Sequence, residues 1–345
     1  MKHKISFLLF VCTLTFISCN KSSNPVVPYT GQIVLVSGME NNSRHDVAKY
    51  WSNGTPTNLS DTSNDALAQS IYMVGNHLCA VGYQSNGNRN VATCWEYGSP
   101  IKLAGNANDT YARSVFISGN DVYIGGNGQK VSTFMASYWK NGSEIDLTDG
   151  TNAASINSIF VSGNDVYAAG GEWWHDQVHD IAKYWKNGVA VNLNDSTGDG
   201  YATSIFVSGS DVYVAGSEIN YNYNWVAVYW KNNVIVKLTD ETHDAHTTSI
   251  YVVGNDVYVA GYVWYDHVTA VAVYWKNGVA VKLTDGTNGA FANSIYVSGT
   301  DVYVAGYEFK GSKTVSEYWK NGKVVKLTDG TTDAQATSIF VREYP

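Results

Sequence analysis

One phrase recurs along this chain: Ser-Ile-Phe/Tyr-Val, a turn, Asp-Val-Tyr-Val-Ala-Gly, a variable stretch, then Tyr-Trp-Lys-Asn-Gly and Val-Lys-Leu-Thr-Asp. Its opening serine stands at Ser70, Ser114, Ser158, Ser204, Ser249, Ser294 and Ser338, a spacing of 44 to 46 residues. A fixed period of that size marks a supersecondary unit that cannot bury its own apolar faces and must stack on its neighbours. A length of 345 residues would ordinarily imply two domains, but the repeat runs through nearly all of it, so the chain reads as one array.

Each unit holds four short runs rich in Val, Ile, Tyr, Phe and Trp, divided by turn signals, with no helical period. Gly-Asn pairs (Gly119-Asn120, Gly163-Asn164) join the first run to the second, and Asn-Gly pairs (Asn141-Gly142, Asn187-Gly188) join the third to the fourth, as tight hairpins require. Runs such as Ile205-Phe206-Val207 and Val257-Tyr258-Val259 are apolar on both faces, so each four-stranded sheet needs cover on both sides. Radial stacking supplies it. The unit resembles a β-propeller blade of the WD40 and kelch kind, although the Gly-His, Trp-Asp and double-glycine signatures of those families are missing. The first unit enters at Ile33-Val34-Leu35-Val36, which matches a second strand, and the chain ends on Ser338-Ile339-Phe340-Val341, which matches a first strand. The expectation is therefore an all-β, seven-bladed β-propeller of four antiparallel strands per blade, closed by a C-terminal inner strand that completes the N-terminal blade.

Seven of the eleven tryptophans (Trp51, Trp95, Trp139, Trp185, Trp230, Trp275 and Trp319) hold one place in the third strand. Such regularity points to one plug per interface rather than to a ligand. The Asp of Leu-Thr-Asp (Asp149, Asp240, Asp285, Asp329) reads as a turn former. Asp195 to Gly200 is similar to the start of an EF-hand loop, but position twelve is Phe206 rather than a glutamate, so no metal and no cofactor are expected. Cys79 and Cys94 replace tyrosines of the other blades in strands two and three, which leaves two readings open: a cross-strand disulfide or a pair of buried thiols.

A formal charge of −8 and a pI near 5.4 argue against a basic nucleic-acid surface. Lys2 and Lys4, the apolar run Ile5 to Ile17, and then Ser18 and Cys19 read as an export signal too short to span a membrane. Phe16-Ile17-Ser18-Cys19 resembles the bacterial lipoprotein box, with Phe16 where leucine is usual, which implies lipidation of Cys19. The expected organisation is a signal peptide over 1–18, a lipidated tether over 19–29 and one propeller over 30–345. With its Tyr-Trp-Lys-Asn-Gly repeats, the chain resembles uncharacterised envelope lipoproteins of Bacteroidetes-like bacteria. That resemblance covers residues 30 to 345 and implies a fold and an outer-membrane location, periplasmic or surface-facing, but no activity. A monomer is expected.

In a propeller the loops between strands two and three share a face with the connections between blades, and here that face carries almost all the variation. The tryptophans outside the frame, Trp173, Trp174, Trp225 and Trp264, fall in these loops of blades 4, 5 and 6, joined by Tyr221, Tyr223 and Tyr265. Rings interleaved with Asn, Asp, Glu and His suit a glycan or a protein hot spot. Leu67, Tyr111, Ser155, Tyr201, His246, Phe291 and Gln335 should ring the mouth of the central channel. His175, His179, His243, His246 and His267 read as surface residues by default. Glu172, Asp176, Asp180, Glu218, Asp266 and Glu308 supply carboxylates for the alternative of a hydrolase or lyase acting on carbohydrate. No nucleophile elbow, P-loop, dinucleotide fingerprint or zinc-protease helix occurs. The leading expectation is a non-enzymatic, lipid-anchored binding protein, with a structural role in the envelope as the remaining alternative.

Overall fold

The computed structural model describes residues 31–103, 108–130, 132–173, 180–194, 199–266 and 268–344. They form seven four-stranded antiparallel sheets, each ordered from an inner strand to a short outer one. This is the expected seven-bladed β-propeller. Blade 1 is composite: its inner strand, Ala334–Tyr344, lies beside Gly31–Asn41, with Ser338 opposite Ser37. The signal peptide, the tether and Cys19 lie outside the described residues.

The Tyr-Trp-Lys-Asn-Gly phrase is explained by one hairpin, built alike in five blades. In blade 3, Asn141 takes a positive φ of 50°, and its amide donates to Asp121 Oδ1 while its Oδ1 accepts from the N–H of Val122. Lys140 pairs with the same Asp121 at 2.8 Å and lies over the Tyr123 ring at 5.1 Å. Asp165, Asp211, Asp256 and Asp301 repeat the arrangement with Lys186, Lys231, Lys276 and Lys320. These pairs are half-exposed, so each adds little to stability, and their contribution is to fix the register of strands two and three.

The frame tryptophans are all buried between blades. Each removes roughly 150–250 Å² from water, a gross gain of about 4–6 kcal/mol before ordering costs. Beside them lies the glycine of Val-Ala-Gly. A Cβ on Gly126 would stand 2.0 Å from the carbonyl oxygen of Tyr111 and 3.1 Å from the Trp139 ring, and Gly216, Gly261 and Gly306 are hemmed in the same way. The carbonyl comes so close because every inner strand carries a β-bulge there, which skips Gln69, Arg113, Asn157, Thr203, Thr248, Asn293 or Thr337.

The bulge turns the following serine toward the next blade. Ser70 Oγ accepts the N–H of Val115 at 3.4 Å, Ser114 that of Ile159 at 3.1 Å, and Ser158 that of Ile205 at 3.2 Å. Ser204, Ser249 and Ser294 continue through Ile250, Ile295 and Ile339, and Ser338 accepts from Ile71 at 3.4 Å to complete the circle. The residue that revealed the period is thus the blade-to-blade link.

Two residues further along each inner strand stand Tyr72, Phe116, Phe160, Phe206, Tyr251, Tyr296 and Phe340. Neighbouring centroids lie 4.7 to 5.2 Å apart all the way round, so seven rings make a continuous collar about the axis. Phe340 of the C-terminal strand completes both this collar and the core between blades 1 and 2. Deleting residues 338–345 should therefore abolish cooperative thermal unfolding. A truncated chain with the parent's melting transition in calorimetry would contradict the closure.

Candidate functional site

Along an inner strand, side chains alternate between the blade interior and the channel, so each strand contributes rungs to the channel wall. The bulge adds a rung. From the collar outward come the linking serines, then a belt of bulge residues, and then the mouth positions Leu67, Tyr201 and Gln335, enclosing a cavity of about 690 Å³. That volume lies in the range for small-molecule sites. It runs from the aromatic collar to the mouth positions on the side of the variable loops.

The belt is polar but partly committed. Asn157 donates to the Ala202 carbonyl at 2.8 Å, Thr248 to Ala292 at 2.7 Å, Asn293 to Ala336 at 2.8 Å and Thr337 to Ala68 at 2.6 Å, each reaching the next blade. Arg113 is the only charged residue among the described lining residues. Its Nε donates to Asn127 Oδ1 at 3.1 Å and its guanidinium lies 5.9 Å from the Tyr111 ring centroid. Burial lowers its pKa, in keeping with a cation held without a carboxylate partner.

The aromatics expected in loops divide otherwise: Trp173, Trp225 and Trp264 are paired end residues of strands, and Tyr221, Tyr223 and Tyr265 stand in loops. Trp225 packs on Tyr201 at 5.1 Å and on His246 at 5.6 Å, and Trp264 on Phe291 at 6.0 Å and Tyr262 at 6.4 Å. Both indoles are half-buried and join the mouth positions in an arc across blades 5 to 7 that continues through Tyr307 and Phe309. Tyr221 and Tyr223 stand fully in solvent, and Trp173 is 40 % exposed at the end of its strand. Tyr265 is set apart from the arc, with Lys282 Nζ 4.0 Å from its ring centroid and His243 edge-on at 5.4 Å. Trp174, His175, His179 and His267 lie outside the described residues.

His246 is the polar centre of the arc. It hydrogen-bonds the Tyr201 hydroxyl and packs at a tilt on Tyr262 at 5.1 Å. Burial lowers its pKa and raises that of Tyr201, so both are neutral at pH 7 and the mouth presents rings rather than charge.

Several carboxylates named from the sequence hold structure. Glu172 pairs with Lys183 and accepts from Asn152 at 2.9 Å. Asp266 accepts from the N–H groups of Val268 and Thr269 in its own loop. Asp149, Asp240, Asp285 and Asp329 each accept an N–H two residues on, as turn formers do. Asp176 and residues 195–198, most of the EF-hand-like stretch, lie outside the described residues. Cys79 and Cys94 are both buried and face each other across strands two and three, with sulfurs 2.7 Å apart. The Cys94 sulfur beside it, with burial, holds the Cys79 thiol well above its ordinary range. Glu317 escaped the sequence reading. It is 1 % exposed, with Oε2 lacking a hydrogen-bond partner, and burial with Glu308 nearby pushes its pKa up to about 7.

No family model matches the sequence, and no curated protein matches it. Solved structures do. A puromycin-hydrolysing peptidase of Mycobacterium tuberculosis aligns at 12 % identity and TM-score 0.57, covering 82 % of this chain and 50 % of that one. This chain therefore spans half the length of that protein. The β-propeller domain of the Trilobed protease from Pyrococcus furiosus aligns at 10 % identity and TM-score 0.54, covering 88 % of this chain and 96 % of that one. TolB from Acinetobacter baumannii aligns at 8 % identity and TM-score 0.48, over 89 % and 66 %. The two higher-scoring likenesses support the fold alone. The Pyrococcus domain is described as having an open velcro topology, whereas the present ring is closed by its last strand.

Glu317 yields a pH prediction. Its native pKa of about 7 exceeds the ordinary 4.5, so the folded state binds the proton more tightly than the unfolded chain does. Stability is then full below about pH 4.5 and falls as pH rises through 7, by roughly 2–3 kcal/mol in all. Denaturation midpoints at about pH 5 and about pH 8 should differ accordingly, and Glu317→Gln should flatten the difference. A parent protein equally stable at both would refute the assignment.

Proposed function

We propose that this chain is a lipid-tethered envelope binding protein that takes the end of a glycan into the mouth of its central channel. The observation that carries the reading is the arc of Tyr201, Trp225, His246, Tyr262, Trp264 and Phe291, which reaches a cavity of about 690 Å³ through Tyr201. Sugar rings stack an apolar face on aromatics while their hydroxyls find hydrogen-bonding partners, and the wall below the arc is lined by Ser, Thr, Asn and Gln. A concave cavity of this size fits one or two sugar units better than a flat protein surface. With Arg113 as the only charge in the described lining, a glycan ending in an acidic sugar is favoured over a basic one. The exposed Trp173, Tyr221 and Tyr223 extend the contact surface for units further along the chain.

The tether rests on the sequence alone. An apolar run from Ile5 to Ile17 ends at Ser18-Cys19, where an exported lipoprotein would be cleaved and acylated. Asn20 to Tyr29, with Pro25 and Pro28, would then separate lipid from propeller.

A glycan array probed with the mature protein should give hits enriched in uronic or sialic acids. On such a hit, Trp225→Ala and Trp264→Ala should each weaken binding roughly tenfold with the melting transition retained, and Arg113→Gln should remove the preference for acidic over neutral ends. An array without hits, or binding indifferent to all three substitutions, would refute the proposal.

A further inference from the structure

Blade 2 departs from its neighbours at four positions that share one face of its second and third strands. In blades 3 to 7 these positions carry Asp, Tyr, Tyr and Lys, as in Asp121, Tyr123, Tyr138 and Lys140. Blade 2 has His77, Cys79, Cys94 and Glu96 in the same register, with Cys79 opposite Glu96 as Tyr123 is opposite Lys140. An ion pair over a ring is thus replaced, at every position together, by four side chains that bind soft or borderline metals.

The geometry gathers three of them and sets the fourth, His77, beside Glu96. The sulfurs of Cys79 and Cys94 and a carboxylate oxygen of Glu96 lie within 4.8 Å of one another, the only such group of three potential ligands among the described residues. Cys94 Sγ stands 4.0 Å and His77 Nε2 3.5 Å from Glu96 Oε1. His77 Nε2 is sealed from solvent and makes no hydrogen bond, an orphan that a metal would satisfy. Its ring is stacked at 5.6 Å on Tyr97, which stands where the other six hairpins carry Asn. Ligand atoms around a tetrahedral zinc ion sit roughly 3.3–3.8 Å apart, so the sulfurs need to open by about 1 Å, Glu96 stands near its place, and His77, close to Glu96 but outside the 4.8 Å group, needs to turn toward the sulfurs.

We propose that His77, Cys79, Cys94 and Glu96 form a zinc site that staples strands two and three of blade 2 on the hairpin face, away from the channel mouth. Binding displaces the thiol protons to solvent and leaves the sulfurs as thiolate ligands, with no change of oxidation state. The sequence expectation of no metal rests on the EF-hand-like stretch, whereas His77 and Glu96 join the two cysteines only once strands two and three of blade 2 are set in register.

The test uses the mature chain, reduced and titrated anaerobically with Co²⁺ and then Zn²⁺. The proposal expects one equivalent of Co²⁺ with thiolate charge-transfer bands and tetrahedral d–d bands, both displaced by Zn²⁺, together with a raised melting temperature. Cys79→Ser and Cys94→Ser should each abolish the charge-transfer intensity or weaken binding at least tenfold, and His77→Ala and Glu96→Gln should weaken it about tenfold or more. Should the serine variants fail to fold, the fourfold variant His77→Asp, Cys79→Tyr, Cys94→Tyr, Glu96→Lys restores the quartet of the other blades and should fold without binding cobalt. Absence of thiolate bands in the reduced parent would overturn the proposal. So would a native mass matching a Cys79–Cys94 disulfide with no zinc by elemental analysis.

Discussion

The close approach of an inner-strand carbonyl to a glycine in the second strand is the constraint on which this architecture rests. Any side chain on Gly38, Gly82, Gly126, Gly170, Gly216, Gly261 or Gly306 would meet that carbonyl at 1.8 to 2.2 Å. The approach permits a bulge in every inner strand, and the bulge has two consequences. It turns a serine to accept an N–H from the next blade, and it adds a polar rung to the channel wall. Blade adhesion and cavity lining thus come from one local irregularity repeated seven times. Each serine link contributes only about 1 kcal/mol, but the links run in one direction around a closed ring, so no blade is terminal.

This frame separates what must stay constant from what is free to vary. Below the bulge, the collar from Tyr72 to Phe340 admits only rings, because each packs on both neighbours at about 5 Å. Above it, the mouth positions range from Leu67 and Ser155 to His246 and Phe291, since their backbone is fixed by the bulge whatever the side chain. Blades 5 to 7 use that freedom to bring rings together. Blade 2 varies in a different place, on the hairpin face, where the quartet that holds register elsewhere is exchanged for a metal-binding set.

The blade count, the composite first blade and the two hairpin types were legible in the sequence, because strand period, Asn-Gly turns and a matching terminal strand are local signals. The serine's task was not, although its spacing was the first thing seen: a bulge is a matter of pairing, invisible until two strands are set in register. By sequence the aromatics of the variable face form one cluster. Trp225 and Trp264 lean on the mouth, whereas Tyr221 and Tyr223 stand in water. Trp225 and Trp264 are end residues of strands, where pairing sets their direction, while Tyr221 and Tyr223 lie in a loop, and the sequence does not show where a strand ends. Glu317 was missed for a related reason, since a single charged residue in a strand gives no sign of its burial.

The central claim is that the serine-linked bulges make seven blades a single unit. Native-state hydrogen exchange on the amides of Ile71, Val115, Ile159, Ile205, Ile250, Ile295 and Ile339 tests it most directly. The account predicts that all seven exchange only through global unfolding, with one common free energy that matches chemical denaturation. Fast, independent exchange at Ile71 or Ile339, the links flanking the composite blade, would show a ring that opens at its seam and would contradict it.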